Sequence, residues 1–461
     1  VLDTTDPASV AALEASISID RTLFIVASKS GTTTEPLAFA DTFFARVQQA
    51  RGDAAGRSFV AITDPGTPLV EQARERGYRT VWRNPPDIGG RYSALSYFGL
   101  VPAALMGLDV GELLERALRM QHACGPTVPA VSNPGLALGA TLAVLARRGR
   151  DKVTFVAPGA VEALPLWLEQ LLAESTGKEG KGLVPVAGEQ PGDPAVYGDD
   201  RLFVAFRVAG DGDAGAPDDA NDRAVDALEQ AGHPVVRITL GDRLDLAGEF
   251  FRWEFATAVA GSLLGINAFD QPNVQESKDV TAGLLAGVAN GQSPDDEPPA
   301  CTDSGIAVYG RAAESVEQAL EALCGEVRAG DYLALLAYLP ESAEHEAALQ
   351  RMRHALRDRL RVATTLGYGP RYLHSTGQLH KGGPDTGVFI LLTAARDGAP
   401  DVPGRAYDYG TLEQAQALGD ARTLREHGRR VLRLDLGRDV ARGLRVVEQA
   451  LEAARFQAAG A

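Results

Sequence analysis

Short apolar runs of strand length recur along the whole chain, and the segments between them carry apolar residues at helical spacing. In the first third the runs are Leu23–Ala27, Ser58–Thr63 and Arg79–Trp82, with helical patterns at Pro36–Ala50 and Pro68–Arg76. A longer helical stretch follows Gly90, and the chain then turns through the Pro/Ser/Gly-rich segment Gly125–Gly135. A second alternation begins at Val153–Ala157 and continues through Leu202–Val208 and Val235–Leu240, with helices at Val161–Ser175, Asp222–Ala231 and Glu249–Leu264. The last of these helices carries Phe250, Phe251, Trp253 and Phe255, a core-forming set. Gly305 starts a third alternation, with strands at Tyr332–Tyr338, Arg361–Leu366, Val388–Thr393 and Val431–Leu436. Continuously apolar strands must be covered on both faces, and helical connections provide that cover, so the pattern predicts an α/β protein of parallel sheets.

A chain of 461 residues is long enough for several cores of this kind. The segment Ala289–Ala300 has almost no large apolar residue and reads as a linker. Expected units are 1–135, 136–288 and 305–461, with 289–304 joining the last two. Sixty-one acidic against 45 basic side chains give a net charge of −16, which argues against a nucleic-acid-binding surface. Cys124, Cys301 and Cys324 are too few and too scattered for a disulfide framework or a zinc cluster, as suits a reducing compartment. No apolar run is of membrane-spanning length, so the expected setting is cytoplasmic, with no membrane partner. The chain opens on Val1 with what reads as a strand end entering a helix, Asp6 capping and Pro7 in the first turn; this reads as an N-terminus cut within a fold.

Four polar segments stand out against this background. Ser28-Lys29-Ser30-Gly31-Thr32-Thr33-Thr34-Glu35 follows a buried strand and leads into a helix. Such a turn can simply cap the helix, but hydroxyls, backbone N–H groups and a helix N-terminus at a strand's C-terminal end also suit a phosphate. Gly89-Gly90-Arg91 can be a turn with a surface Arg; paired glycines also admit close approach of a ligand, and Arg offers a permanent planar charge. Glu174 in Glu174-Ser175-Thr176-Gly177-Lys178 sits at a helix end, where a solvated Glu is commonplace, yet a positioned carboxylate there can move a proton between adjacent carbons. His374-Ser375-Thr376-Gly377-Gln378 follows an apolar segment, and an imidazole titrating near neutrality can serve as a proton donor.

Together with Phe269-Asp270-Gln271-Pro272 running on to Lys278, these segments resemble the phosphoglucose isomerase family. The resemblance implies two doubly wound parallel-sheet domains of sugar-isomerase (SIS) type, 1–135 and 136–288, plus a C-terminal α/β unit carrying the His motif. It implies reversible isomerisation of glucose 6-phosphate to fructose 6-phosphate, in glycolysis and gluconeogenesis, without a metal or redox cofactor. On that reading Ser28, Lys29, Ser30 and Thr33 bind the sugar phosphate, with Gly90 and Gln170 also at the substrate. His374 and Lys278 open the sugar ring, Glu174 shuttles the proton through a cis-enediol, and Arg91 stabilises its charge. The family places a strand and a Gly-Gly-Ser loop ahead of the point where this chain starts. The order Glu174, Lys278, His374 departs from that of single-function relatives, where the His lies between the other two. It resembles the isomerase half of bifunctional transaldolase/glucose-6-phosphate isomerases, implying a transaldolase part upstream and leaving room for a homodimer. Two alternatives stay open at this point: an isomerase of the same fold for another sugar such as mannose 6-phosphate, and a sugar-phosphate-binding module without catalysis.

Overall fold

The computed structural model describes residues 1–209, 219–295, 297–396 and 398–456. It contains three sheets, each built from one of the three alternating stretches.

The chain enters through α1 (Pro7–Ser16), capped as the sequence predicts: the Asp6 carboxylate accepts the Ser9 N–H at 2.8 Å. Then follow β1 (Phe24–Ala27), α2 (Thr34–Arg51), β2 (Phe59–Thr63), α3 (Pro68–Glu75) and β3 (Thr80–Arg83). These strands form a parallel sheet in sequence order. Every residue of β2 is buried, as a central strand covered on both faces requires. The helical stretch expected after Gly90 divides into α4 (Tyr97–Leu105) and α5 (Val110–Ala123), because Gly107 takes φ +84° and ends the first.

After α6 (Pro134–Arg147) the second sheet begins with β4 (Lys152–Val156), α7 (Leu164–Thr176), β5 (Val184–Val186) and β6 (Arg201–Val208). It is completed by α8 (Asp219–Gln230) and β7 (Val235–Leu240), in the parallel order β5-β4-β6-β7. Helix α9 (Leu246–Leu264) covers it and buries Trp253 completely, in line with its core-forming reading. Next comes α10 (Val274–Ala289), a helix absent from the strand-and-helix reading of the sequence.

The third sheet is mixed, and here the all-parallel expectation needs correction. Its strands are β8 (Cys301–Asp303), β9 (Ile306–Tyr309), β10 (Tyr332–Ala337), β11 (Ala363–Tyr368), β12 (Gly387–Thr393) and β13 (Arg430–Asp435), in the order β11-β10-β12-β13-β9-β8. The four-strand centre is parallel, but β9 pairs antiparallel with β13 and β8 antiparallel with β9. Strand β8 lies inside the expected linker 289–304, whose Asp295 and Glu297 also pair with Arg433 and Arg425. A polar composition there supplies ion pairs to the third sheet. The helices of this unit are α11 (Val316–Cys324), α12 (Ala343–Leu360), α13 (Gly377–Gly382), α14 (Tyr409–Glu426) and α15 (Val440–Ala453).

Two shared cores lock the units together. Val402, Tyr409 and Leu412 pack into the first unit's core beside Val10, Phe39 and Phe43. Ala173 of α7 with Val184 and Val186 of β5 joins Tyr332, Tyr338 and Tyr372 of the third.

Candidate active site

The loop 28–33 leaves β1 at its C-terminal end and turns into α2. Its sharp corner is Gly31, at φ +65°, where a Cβ would lie 2.9 Å from the Thr67 Cβ; only glycine fits without strain. The Ser28 hydroxyl donates to Thr33 Oγ1 at 3.1 Å, and Ser30 and Thr32 share a hydrogen bond at 2.8 Å. Thr33 is the N-cap of α2 but its side chain does not cap the helix. Its hydroxyl stays in the loop, beside the first-turn N–H groups. The Lys29 ammonium is directed elsewhere: it pairs with Asp64 and donates to the Pro86 carbonyl.

A cleft of about 590 Å³ opens where this loop meets three other segments. Thr32, Thr33 and Glu35 line one side, Lys278 and its neighbours on α10 another, and His374 with Gln416 the third. Along α10 the lining residues Val274, Lys278, Thr281 and Leu285 recur at helical spacing, so one face of the helix forms the wall. Lys278 is exposed, and its ammonium has no hydrogen bond or ion pair among the described residues. His374 sits in the single turn Arg371–His374 after β11, with its side chain 35% exposed, and its Nε2 lies 3.1 Å from Glu35 Oε1. Glu35 is buried, which by itself pushes its carboxyl up. The hydrogen bond and charge of His374, joined by the field of Lys278, outweigh that and hold Glu35 below its ordinary value of 4.5.

A second polar cluster lies at the C-terminal end of α7. Arg91, on the turn Gly90–Tyr92, is 3% exposed and meets five partners. Its Nε donates to Ser175 at 2.6 Å, Nη1 to Gln271 at 2.9 Å, and Nη2 to the carbonyls of Ala268 at 2.7 Å and Asp270 at 3.0 Å. Its Nη1 also pairs with Glu174 at 3.2 Å. Gln170, one turn earlier on α7, donates to the other Glu174 oxygen at 3.2 Å. A Cβ on Gly90 would meet nothing within 4 Å, so no protein group demands glycine there and the backbone is open to a ligand. Lys178 holds the loop 267–271 from the other side, donating to the Asn267 carbonyl at 2.8 Å and to the Asp270 carboxylate at 2.7 Å. Burial lowers its pKa, and the bonds to Asp270 oppose that without cancelling it.

The structure thus gathers Thr33, Lys278 and His374 around one cleft, and Arg91, Glu174, Gln170 and Gly90 in an adjoining cluster. Ser28 and Ser30 support the loop, and Lys29 turns away from the cleft. No hydrogen bond or ion pair joins the two sets among the described residues; packing does. Gly177, just past α7, would place a Cβ 2.3 Å from the Leu379 Cα, so its lack of a side chain lets α7 and α13 touch. Gln378 seals the contact by donating to the Gly177 carbonyl at 2.8 Å. Next to Gln170, buried Glu169 is pushed up to about 7 by burial, against the opposing fields of Arg371 and Arg353 and a hydrogen bond from Ser375. Among the described residues, no group of three His, Cys, Asp or Glu side chains is placed to hold a metal ion. None of their helices is long and apolar enough to cross a membrane.

Glu35, Gln271, Tyr92, Ser175 and Gln416 belong to these clusters without having been singled out from the sequence. Glu35 closes the hydroxyl-rich segment read from the sequence, but an acidic residue in a first helical turn is ordinary, so its type gave no sign of a site role. Gln271 did carry a signal, since it stands inside the segment leading to Lys278.

A parallel α/β scaffold with a hydroxyl loop at a strand end, a helix-borne Lys and a His facing it across one cleft, and a buried Arg–Glu pair beside them, defines a phosphosugar-isomerase type of protein. The comparisons agree with that class. A family model described as phosphoglucose isomerase matches residues 1–198. The glucose-6-phosphate isomerase of Rubrobacter xylanophilus is 32% identical over 317 residues, covering 60% of this chain and 71% of its own. A probable glucose-6-phosphate isomerase of Natronomonas pharaonis is 33% identical over 323 residues, covering 62% and 73%. Among solved structures, a hypothetical protein of Thermus thermophilus superposes with a TM-score of 0.56 at 26% identity, over 62% of this chain and 77% of that one. A glucose-6-phosphate isomerase of Chlamydia trachomatis shares the fold, with a TM-score of 0.52 at 21% identity over 62% and 63%. The chain belongs to the phosphoglucose isomerase family.

Proposed function

We propose that this chain interconverts glucose 6-phosphate and fructose 6-phosphate by acid–base proton transfer, as a cytoplasmic enzyme of glycolysis and gluconeogenesis. The observation that carries the reading is the joint geometry of the two clusters: a hydroxyl loop, Lys278 and the His374–Glu35 pair around one cleft, next to a carboxylate held by Arg91 and Gln170. The phosphate sits on the loop hydroxyls and the first-turn N–H groups of α2. His374, steadied by Glu35, gives a proton to the ring oxygen, Lys278 assists at the same bond, and the C1–O bond breaks as the C1 hydroxyl loses its proton to solvent and becomes the aldehyde. Glu174 takes the C2 proton and returns it to C1 through a cis-enediol. Arg91 fixes Glu174 and keeps positive charge beside the site where enediolate charge develops. Relatives named glucose-6-phosphate isomerase support the choice of sugar. The late position of His374 motivates the further proposal that the parent protein carries a transaldolase part upstream.

The test is turnover of glucose 6-phosphate against mannose 6-phosphate by the purified chain and its Glu174→Gln variant. Expected are a preference for the glucose sugar and a loss of about 10²-fold or more in kcat for the variant, with KM within a few-fold, the effect of removing a general base. Equal use of both sugars, or a variant with near-normal turnover, overturns the reading.

A further inference from the structure

Helix α14 lies beyond the residues that the family model matches, and no site residue was expected on it. Its buried polar side chains include Glu413, Gln416 and Asp420, at 2%, 4% and 0% exposure, which fall at spacings of three and four on one face. A helix facing an apolar core has no use for such a stripe unless each member is bonded. Each is bonded, and the bonds of Gln416 and Asp420 go to segments that carry or adjoin the cleft. Glu413 accepts from Arg396 at 2.5 Å. Asp420 accepts from the Tyr372 hydroxyl at 2.7 Å and pairs with Lys381 at 2.8 Å, so it grips the chain on both sides of His374. Gln416 reaches into the cleft wall and donates from Nε2 to Glu35 Oε1 at 2.7 Å.

That carboxylate oxygen is the one His374 Nε2 also meets, at 3.1 Å. On its far side Gln416 accepts from the hydroxyl of fully buried Thr5 at 2.7 Å. Ionised Glu35 can only accept, so the amide turns its N–H to Glu35 and its oxygen to the Thr5 hydroxyl, which donates to it. The result is a relay across the whole chain: Thr5 anchors Gln416, Gln416 fixes Glu35, and Glu35 fixes the ring of His374. With Nε2 so engaged, His374 Nδ1 has no protein partner among the described residues and is left for a ligand.

We infer that Gln416 is a positioning residue for His374, acting through Glu35, and that Thr5 anchors its amide in place. The inference rests on His374 serving in ring opening, and the experiment separates the two. Gln416→Leu, Thr5→Val and His374→Ala are compared with wild type for kcat and KM on glucose 6-phosphate. In parallel the imidazole ¹H–¹⁵N signals are recorded, the His374 signal being identified by its loss in His374→Ala; seven histidines keep the spectrum readable. Gln416→Leu should lower kcat about tenfold or more, the scale of one hydrogen bond to a charged group, with KM within twofold and the His374 signals displaced. Thr5→Val should shift both readouts in the same direction by less. If His374→Ala lowers turnover while Gln416→Leu and Thr5→Val do not, the positioning role is wrong. If His374→Ala leaves turnover intact, the ring-opening reading fails, and unmoved His374 signals in Gln416→Leu would then also end the structural half of the inference. A Gln416→Leu protein that only melts earlier, with kcat and the His374 signals unchanged, makes α14 a brace and refutes the proposal.

Discussion

Arg91→Met tests the arrangement most sharply, because it removes one buried fork on which five acceptors converge. The substitution roughly keeps the side-chain volume and takes away the charge. Two of the five acceptors keep another donor: the Ala268 carbonyl retains the Tyr92 hydroxyl at 3.0 Å and the Asp270 carbonyl retains Lys178, while the Ser175 hydroxyl keeps a partner by donating to the Tyr92 oxygen at 2.9 Å. Glu174 loses its cation and keeps only Gln170, and Gln271 loses its donor. Breaking a buried ion pair by deleting one partner costs about 3–5 kcal/mol, and the surviving donors place this case at the low end, about 3 kcal/mol of stability. Turnover should fall more steeply, by about 10²–10³-fold in kcat, as when one preorganised charge-stabilising group is removed. Urea unfolding and an isomerase assay read the two effects separately. Arg91→Lys restores the charge without the fork, so it should recover only part of each. A Met variant within threefold of wild type in kcat/KM, or a Lys variant that recovers everything, would refute the reasoning.

Two further outcomes follow from the buried charges. Glu35 is held below its ordinary value of 4.5, so its ionisation stabilises the fold above that pH, and the contribution is lost as pH falls through the lower folded value. The gap in urea midpoint between wild type and Glu35→Gln should therefore be widest above about pH 5 and shrink on acidification; a gap that widens toward about pH 3 would reverse the assignment. Lys381 and Asp420 form an ion pair at 1% and 0% side-chain exposure, so Lys381→Met should cost about 3–5 kcal/mol by stranding the carboxylate. Adding Asp420→Leu should recover part of that loss, and a double variant weaker than the single would show that Asp420 is needed more for Tyr372 than for Lys381.

Much of this was readable along the chain, for reasons that are local. Strands such as β2, β10 and β12 are buried along their length, so they are written as largely apolar runs, and the reading found them within a residue or two. The loop after β1, the Arg91 turn and the end of α7 were visible because strand C-termini and helix ends concentrate glycine and hydroxyls. Helix α10 was not, since its cleft-facing stripe carries Lys278 and Thr281 beside Val274 and Leu285, which blurs the apolar period. The antiparallel pair β8–β9 was hidden in a segment whose Pro, Asp and Glu content resembles a linker.

Three facts about the site belong to tertiary structure alone. Lys29 stands in the phosphate-type loop, yet its ammonium is drawn to Asp64, 35 residues away. Glu35 meets His374 across 339 positions, and Thr5 meets Gln416 across 411. A residue's own neighbours set its helical or extended preference, which is why motif and element could be read together. Which oxygen bonds to which nitrogen depends on how three separately twisted sheets dock through shared cores, and no short-range propensity encodes that. Residue types and their strand-end placement came from the sequence; the pairing of His374 with Glu35, and of Glu35 with Gln416 on a helix 381 positions further on, came from packing.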